Sequence, residues 1–357
     1  MTTYRQAKDV VAELGLHKKF KSADEIGRVA IMNGLKLEAQ RDACPKTILY
    51  EPGVFPHTQH GIINPSCVQD GQDLTIIYRT EPSSATWSGY LLTDKGIPQL
   101  GTGKITRKGI ELNDPQPIES GVTMACRPED WRLFRHNEHI YTNFTNYFYL
   151  NKGWPQKVVR CVTALGVLVE GRVQFVRECT TDHLGMQMNK EEKNWVFFSH
   201  NDLLYCVYSV EPYVIFRCDD TGKPHEIISS EIRLPRLGDR FLANSTNPIP
   251  VNLPNLGDGY LMFVHQYLTP NGRGSRNRTY YQHALFISAE TLMPVAWTPY
   301  PIVGGGVSTK GRHDGVIYIS GAFTFDNKIY MMAGEGDSST VMFELTIKDL
   351  CSWLTLL

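Results

Sequence analysis

Arg127-Pro128-Glu129-Asp130-Trp131-Arg132 sets two carboxylates between guanidinium groups, and Leu133-Phe134-Arg135-His136-Asn137-Glu138-His139-Ile140-Tyr141 follows directly. The second part reads as strand, tight turn, strand, with the turn at His136 to Glu138, because two apolar stretches flank a short polar break. The same order returns at Glu191-Glu192-Lys193-Asn194, followed by Trp195-Val196-Phe197-Phe198-Ser199-His200-Asn201-Asp202-Leu203-Leu204-Tyr205. Asp130 and Lys193 are therefore expected to open equivalent strands. Charge packed this densely rarely serves a core.

Laid on one another, such hairpins give five copies, whose second strands begin near Leu74, Ile140, Leu204, Tyr260 and Ile329. A period of roughly 60 residues carried by short strands implies a radial or solenoid array, since one unit cannot bury its own apolar face. Four strands of about five to six residues with their turns fill one repeat, which is a propeller blade. The expected fold is all-β, a five-bladed β-propeller over residues 44–357. Residues 1–43 are expected to form a short N-terminal helical extension: Ala7, Val10, Val11, Leu14 and Leu16 share one helical face, and Ser22 can cap a second helix at Asp24. That extension is read as packing on a blade, with a lid or an arm of a homo-oligomer as alternatives. Equivalent strand starts converge on a propeller's axis, so Asn64, Asp130, Lys193, Asn247 and the Gly334 to Asp337 region are expected to line one funnel.

The 36 basic and 37 acidic side chains among 357 residues leave a net charge of -1, which gives no electrostatic reason to propose nucleic acid or membrane as a partner. No apolar run approaches the roughly 18 residues of a membrane helix, and Met1-Thr2-Thr3-Tyr4-Arg5 lacks a signal peptide's apolar stretch. A cytoplasmic location is expected. The eight cysteines are scattered without a CxxC pair, the pattern of reduced core thiols. There is no HExxH or similar metal spacing, no Walker A, no GxGxxG and no GxSxG, so neither metal nor cofactor is expected. Arg273, Arg276 and Arg278 stand in a Gly-containing loop suited to phosphate through paired donors, with a solvated loop as the plainer reading.

Pro128-Glu129-Asp130-Trp131-Arg132 resembles the Glu-Asp-Pro-Arg motif of the five-bladed mannoside phosphorylases of glycoside hydrolase family 130, with Trp131 in place of proline. Asn64-Pro65 and Tyr78-Arg79 are similar to that family's Asn-Pro strand ending in Tyr-Arg, Lys193 to its Lys-Asp or Lys-Asn strand, and Val264-His265 to its Tyr-His-Gly, with Gln266 where glycine is expected. Val316 to Ala322 followed by Gly334-Glu335-Gly336-Asp337 resembles its closing Gly-Ala-Ala-Asp hairpin. The departures, the Glu-Lys-Asn-Trp run and Tyr281-Gln282-His283 look closer to the mannosyltransferase/phosphorylases of glycosyltransferase family 108, known from Leishmania-type parasites, which make and degrade β-1,2-mannan. The matches cover roughly residues 60 to 345, each one short.

The resemblance implies transfer of mannose between mannose 1-phosphate or GDP-mannose and mannose oligosaccharides, with inorganic phosphate as the reverse substrate. It implies Asp130 as general acid/base, acting through a sugar hydroxyl, with Asn64, Arg79, Asp314 and Asp337 on the sugar. Arg132, Lys193, His265, Tyr281 and His283 are the implied phosphate ligands. Phosphorolysis needs one acid and a pocket for phosphate, whereas an inverting hydrolase needs a second carboxylate to deprotonate water, and that carboxylate would repel an anion. The site is therefore expected to hold one acid among cationic or neutral donors. The plainer alternative for Asp130 is an ion pair with Arg127 or Arg132 that closes a blade. The alternative functions are a family 130 phosphorylase or hydrolase without sugar nucleotide use, and a noncatalytic carbohydrate-binding propeller.

Overall fold

A computed structural model describes residues 44–50, 60–82, 98–106, 109–120, 126–149, 158–186, 192–230, 232, 234, 242–268, 279–304 and 315–357. Their strands fall into separate antiparallel sheets. The first sheet in chain order contains β2 (His60–Asp70), β3 (Asp73–Pro82), β4 (Pro98–Thr106), β5 (Gly109–Leu112) and β6 (Gln116–Pro117). The second contains β7 (Cys126–His136), β8 (His139–Tyr149), β9 (Val158–Val169) and β10 (Arg172–Glu178). The third contains β11 (Val196–His200), β12 (Leu203–Val210), β13 (Tyr213–Cys218) and β14 (Pro224–Ser230). The fourth is built from β15 (Ala243–Asn244), β16 (Ile249–Leu253), β17 (Gly257–Leu268), β18 (Thr279–Ser288), β19 (Pro294–Trp297) and β20 (Val303–Gly304).

The remaining sheet is composite. β21 (Ile317–Phe325), β22 (Lys328–Glu335) and β23 (Ser339–Thr346) are completed by β1 (Lys46–Tyr50) from the other end of the described chain. An ion pair of 3.0 Å between Lys46 and Glu335 spans that junction. The expectation of five like copies in chain order is corrected here: four sheets, not five, follow the repeat, and β1 to β23 closes the ring. The α-helix α1 (Ile347–Trp353), capped by Thr346, and the short β24 (Thr355–Leu356) follow, β24 adding to the edge of β19. The expected N-terminal helices over 1–43 lie outside the described residues.

Apolar clusters join each sheet to the next, as a propeller requires. Ile77 packs with Trp131, Leu133 and Phe144 between the first and second sheets, and Phe134 and Leu165 pack with Phe197 and Phe216 between the second and third. Phe198 and Tyr213 meet Met262 and Leu285, Phe263 and Phe286 meet Ile319 and Met331, and Ile62 and Ile76 meet Phe323 and Met332. The hairpin turns read from sequence are present. His200 pairs with Leu203 and Phe325 with Lys328 across two-residue loops. Both loops, Asn201-Asp202 and Asp326-Asn327, have positive φ, the conformation that matches strand twist and that Asn and Asp tolerate best. Among the described residues seven cysteines are free thiols, six of them buried, and burial pushes Cys67 and Cys179 up to about 12, which leaves them unreactive. Among the described residues no helix is long and apolar enough to cross a membrane.

Candidate active site

Two strands carry the same irregularity. In β2 the pairing with β3 jumps between Ile63 and Ser66, so Asn64 and Pro65 stand opposite Tyr78 alone. In β7 it jumps between Glu129 and Arg132, so Asp130 and Trp131 stand opposite Phe144. These are β-bulges, which re-aim a side chain by adding one residue to one strand. The first residue of each is left-handed, Asn64 at φ 49° and Asp130 at φ 55°, a region that Asn and Asp enter at lower cost than other L-residues. Trp131 then takes the buried side, stacked on Phe144 with ring centroids 4.1 Å apart. The residue that departs from the proline motif thus anchors the bulge that turns Asp130 outward.

Asp130 faces a cavity of about 280 Å³ lined by Asn64, Arg79, Glu129, Tyr147, Lys193, Asn194, His265, Tyr280, Tyr318 and Asp337. Its Oδ1 accepts from Asn64 Nδ2 at 3.1 Å and from Arg79 Nη1 at 3.2 Å, and its side chain keeps 19 % exposure. Burial alone would raise its pKa; the Arg79, Arg132 and Lys193 charges and the Asn64 hydrogen bond outweigh it and hold the carboxyl below its ordinary value. Arg79 Nη2 simultaneously pairs with Glu129 at 3.2 Å. Of the pairings considered from sequence, the one with Arg132 gives way to Arg79 on the neighbouring sheet, and the Arg127 side chain lies outside what the structure describes.

The cavity unites Asn64, Arg79, Asp130, Lys193, His265 and Asp337 of the sequence-derived set. Arg132 stands behind it, 1 % exposed. Its guanidinium donates to Ser245 O, to Asp130 O at 3.0 Å, to Asn194 Oδ1 at 3.1 Å and to the Tyr318 hydroxyl. It braces the bulge from below and supplies charge at a distance, which corrects its assignment as a direct phosphate ligand.

Tyr281 and His283 are corrected too. His265 pairs with Gln282 and Tyr267 with Tyr280, so alternation puts Tyr280 and Gln282 on the face of His265 and turns Tyr281 and His283 to the other side. His283 is fully buried, bonded through Nδ1 to Thr298 O at 2.8 Å and through Nε2 to Gln266 at 3.1 Å. Burial takes its pKa down to about 4 despite the Thr298 bond, so it is no cation at neutral pH. Asn247 is buried, bonded to Phe197 N and Leu133 O, and lines a separate cavity with Leu133 and Phe198. Asp314 and the Arg273 to Arg278 loop lie outside the described residues.

The expectation of a single acid is also corrected, because Glu129, Asp130 and Asp337 all reach this cavity against Arg79 and Lys193. His265 is neutral: burial first, then the Arg132 and Lys193 charges, bring its pKa down to about 3. Burial, with Glu129 and Asp130, keeps the Tyr147 phenol protonated, and burial does the same for Tyr318. Sequence reasoning missed Glu129, Tyr147, Asn194, Tyr280 and Tyr318. Asn194 was within reach, as the left-handed residue beside Lys193 at φ 64°. The arrangement offers fixed carboxylates, phenol donors and two cations around one small space, a combination suited to hydroxyl-rich, partly anionic ligands.

No protein-family model matches the chain, and no curated protein matches it. Solved structures do. A β-1,2-mannobiose phosphorylase from Listeria innocua, solved with β-1,2-mannobiose, superposes with TM-score 0.54 at 13% identity over 82% of this chain and 91% of its own. A mannose phosphorylase from Leishmania mexicana, solved with a phosphate ion, gives 0.54 at 12% over 92% and 96%. A GDP-Man-dependent mannosyltransferase from the same organism gives 0.55 at 13% over 89% and 94%. At such identities the likeness is one of fold, and the fold is that of a β-propeller.

Proposed function

We propose that the chain is a mannoside-processing enzyme that transfers a mannosyl group between a β-mannoside and phosphate, with Asp130 as general acid/base. The observation that carries this reading is the Asp130 carboxylate, presented by a left-handed bulge and steadied by Asn64 and Arg79 inside a cavity that also holds Lys193. A functional carboxylate is expected where backbone geometry and charge partners are arranged around it at a cleft. The mannoside enzymes that share the fold support the choice of sugar.

With its pKa held low, Asp130 rests as a carboxylate. That is the state of a base, which takes a proton from an acceptor hydroxyl in the synthetic direction. In phosphorolysis it must instead carry a proton. Phosphate arriving beside Lys193 and Arg79 would offset their pull and raise the Asp130 pKa as the substrate enters. Lys193 and Arg79 are proposed to hold the phosphate by their charge, with Asn64 and Asp337 on the sugar. A GDP-mannose donor would set its phosphate in the same place.

One observation favours a hydrolase as second reading: the cavity holds more carboxylates than phosphorolysis needs. Glu129 shares one guanidinium with Asp130 and so stands on the same side, whereas an inverting hydrolase works from opposite sides of the bond. Asp337 comes from a different sheet. Incubation with β-1,2-mannobiose, with and without phosphate, separates the readings: mannose 1-phosphate that appears only with phosphate supports the first, and free mannose at equal rate in both supports the second. Elongation of mannose from mannose 1-phosphate or GDP-mannose tests the synthetic direction. No product in any incubation would count against both enzymatic readings for this linkage and favour the carbohydrate-binding propeller.

A further inference from the structure

His265 lies 7 % exposed on the cavity wall, and a chain of hydrogen bonds behind it fixes where its ring proton sits. Gln282 Nε2 donates to Ile317 O at 2.7 Å. A carbonyl only accepts, so the amide nitrogen must lie on that side and Oε1 must face Ser245, 3.2 Å away. Oε1 is itself only an acceptor, and Ser245 has one hydroxyl proton to give it. Ser245 Oγ therefore approaches His265 Nδ1, at 2.8 Å, as the acceptor. Nδ1 must carry the hydrogen, and Nε2 of the neutral ring keeps its lone pair.

Other groups hold the arrangement still. Ser245 N donates to Phe263 O at 2.9 Å, and Ser245 O takes the Arg132 Nε hydrogen. The His265 ring stacks on Tyr280 with centroids 5.5 Å apart and meets Tyr318 edge-on at 5.1 Å. The groups acting on it electrostatically are Arg132, Lys193 and Asp130. Two cations and deep burial oppose a positive ring, so a third cation is not what this position supplies.

We propose that His265 Nε2 is a hydrogen-bond acceptor for a hydroxyl of the substrate, and that Ser245 and Gln282 are positioning residues that lock its tautomer. Identifying that hydroxyl as a sugar's rests on the mannoside reading above; the tautomer does not. Two sources share the chemistry, a sugar hydroxyl and the P–OH of protonated phosphate. Either way His265 gives no hydrogen bond to a bare phosphate oxygen, and that task falls to Lys193 and Arg79. The site would then discriminate against sugars lacking the hydroxyl, because the buried lone pair would be left unmatched.

The test is ¹⁵N spectroscopy of imidazole-labelled full-length protein, with the His265 signals identified by their loss in His265→Gln. Between pH 5 and 8 the expected pattern is a protonated Nδ1 and an unprotonated Nε2. Added mannose and added inorganic phosphate are separate arms, and an Nε2 shift with one of them identifies the source of the hydroxyl. A shift with phosphate alone would keep the acceptor role while removing the sugar assignment. Ser245→Ala should turn the single tautomer into a mixture, a change that a merely packing role for Ser245 would not produce. A protonated Nε2 in the wild type, an unchanged tautomer in Ser245→Ala, or an Nε2 signal indifferent to both additions would overturn the proposal.

Discussion

Among the described residues, two cavities of similar size lie along the same inner strands, and they differ in kind. Asn64 and Asp130 stand at one, about 280 Å³, while Ser66 to Gln69 of β2 and Leu133 to Arg135 of β7 stand at the other, about 310 Å³. The first gathers Arg79, Glu129, Asp130, Lys193 and Asp337; the second is walled by Phe134, Phe198, Tyr260, Phe323 and prolines. The two bulges lie between them. Volume alone would pick neither, since a third cavity bordered by Pro250, Asp258 and Asp326 is larger at about 480 Å³. What marks the first is ionisable groups whose charges are set against one another, which is where proton transfer can be tuned.

Substitution on both sides of that divide breaks or sharpens the contrast. Asp130→Asn keeps a residue that accepts the left-handed backbone and removes only the ionisable oxygen. Mannosyl transfer should fall about 10²- to 10⁴-fold, the usual contribution of a general acid or base, with the fold retained in circular dichroism. Gln69→Ala at the apolar cavity should leave turnover within a few-fold. Equal losses at both positions, or none at Asp130, would place the chemistry elsewhere.

Lys193→Ala comes next in size. A hydrogen bond to a charged group contributes about 1.5–3 kcal/mol, roughly ten- to a hundredfold in binding. The phosphate concentration for half-maximal rate should rise by that factor while the oligosaccharide requirement changes little. Parallel changes in both would mean that Lys193 serves the sugar or only the local charge balance.

Much of this contrast was legible in the sequence, and the rest failed for identifiable reasons. The hairpin turns carry Asn and Asp where positive φ is needed, so the starts of β8, β12 and β22 were predicted within a residue or two. Asp130 and Lys193 could be found because each sits in a short charged stretch, Asp130 within β7 and Lys193 just before β11, and Arg79 because Tyr78-Arg79 fits the family's strand ending. Tyr281 and His283 were misplaced by one residue of strand alternation, which sends every side chain to the opposite face. Arg132 was misjudged because charge says nothing about whether a guanidinium points into space or into its own backbone. Closure by β1 left no repeat to find, since that strand pairs with a partner almost 300 residues away.

A smaller difference separates Asp130 in the cavity from His283 in the blade interior: the pH window in which each of these two groups acts on stability. His283 is buried and neutral with its pKa near 4, against about 6.5 in an unfolded chain. The unfolded state therefore binds a proton that the native state refuses, and stability is lost as pH falls from about 6.5 toward 4. Asp130 acts lower, because a depressed carboxylate stabilises above its unfolded pKa and loses that contribution only as pH falls through its folded value. Between pH 6.5 and 5, His283→Gln should flatten the fall in unfolding free energy, by on the order of 2 kcal/mol at most, and Asp130→Asn should leave it unchanged. Chemical denaturation across that range checks both.

The smallest expected effect tests how tightly the bulge is seated. A Cβ on Gly334 would stand 2.1 Å from Asn64 Oδ1 and 3.1 Å from Asn64 N, so the absence of a side chain on β22 is what lets the β2 bulge come so close. Gly334→Ala must push the Asn64 amide aside, at a packing cost of about 1–3 kcal/mol, and the displaced amide can no longer donate to Asp130. That hydrogen bond is one of the causes holding the Asp130 carboxyl down, and its loss raises the pKa while Arg79 and Lys193 remain. Turnover should drop only a few-fold, but in the synthetic direction, where Asp130 acts as a base, the acidic limb of the pH–rate profile for kcat/KM should move to higher pH. Asn64→Ala should move it in the same direction without the packing cost. A Gly334→Ala enzyme that is merely less stable, with an unmoved acidic limb, would show that Asn64 and Asp130 are neighbours in this cavity and not a coupled pair.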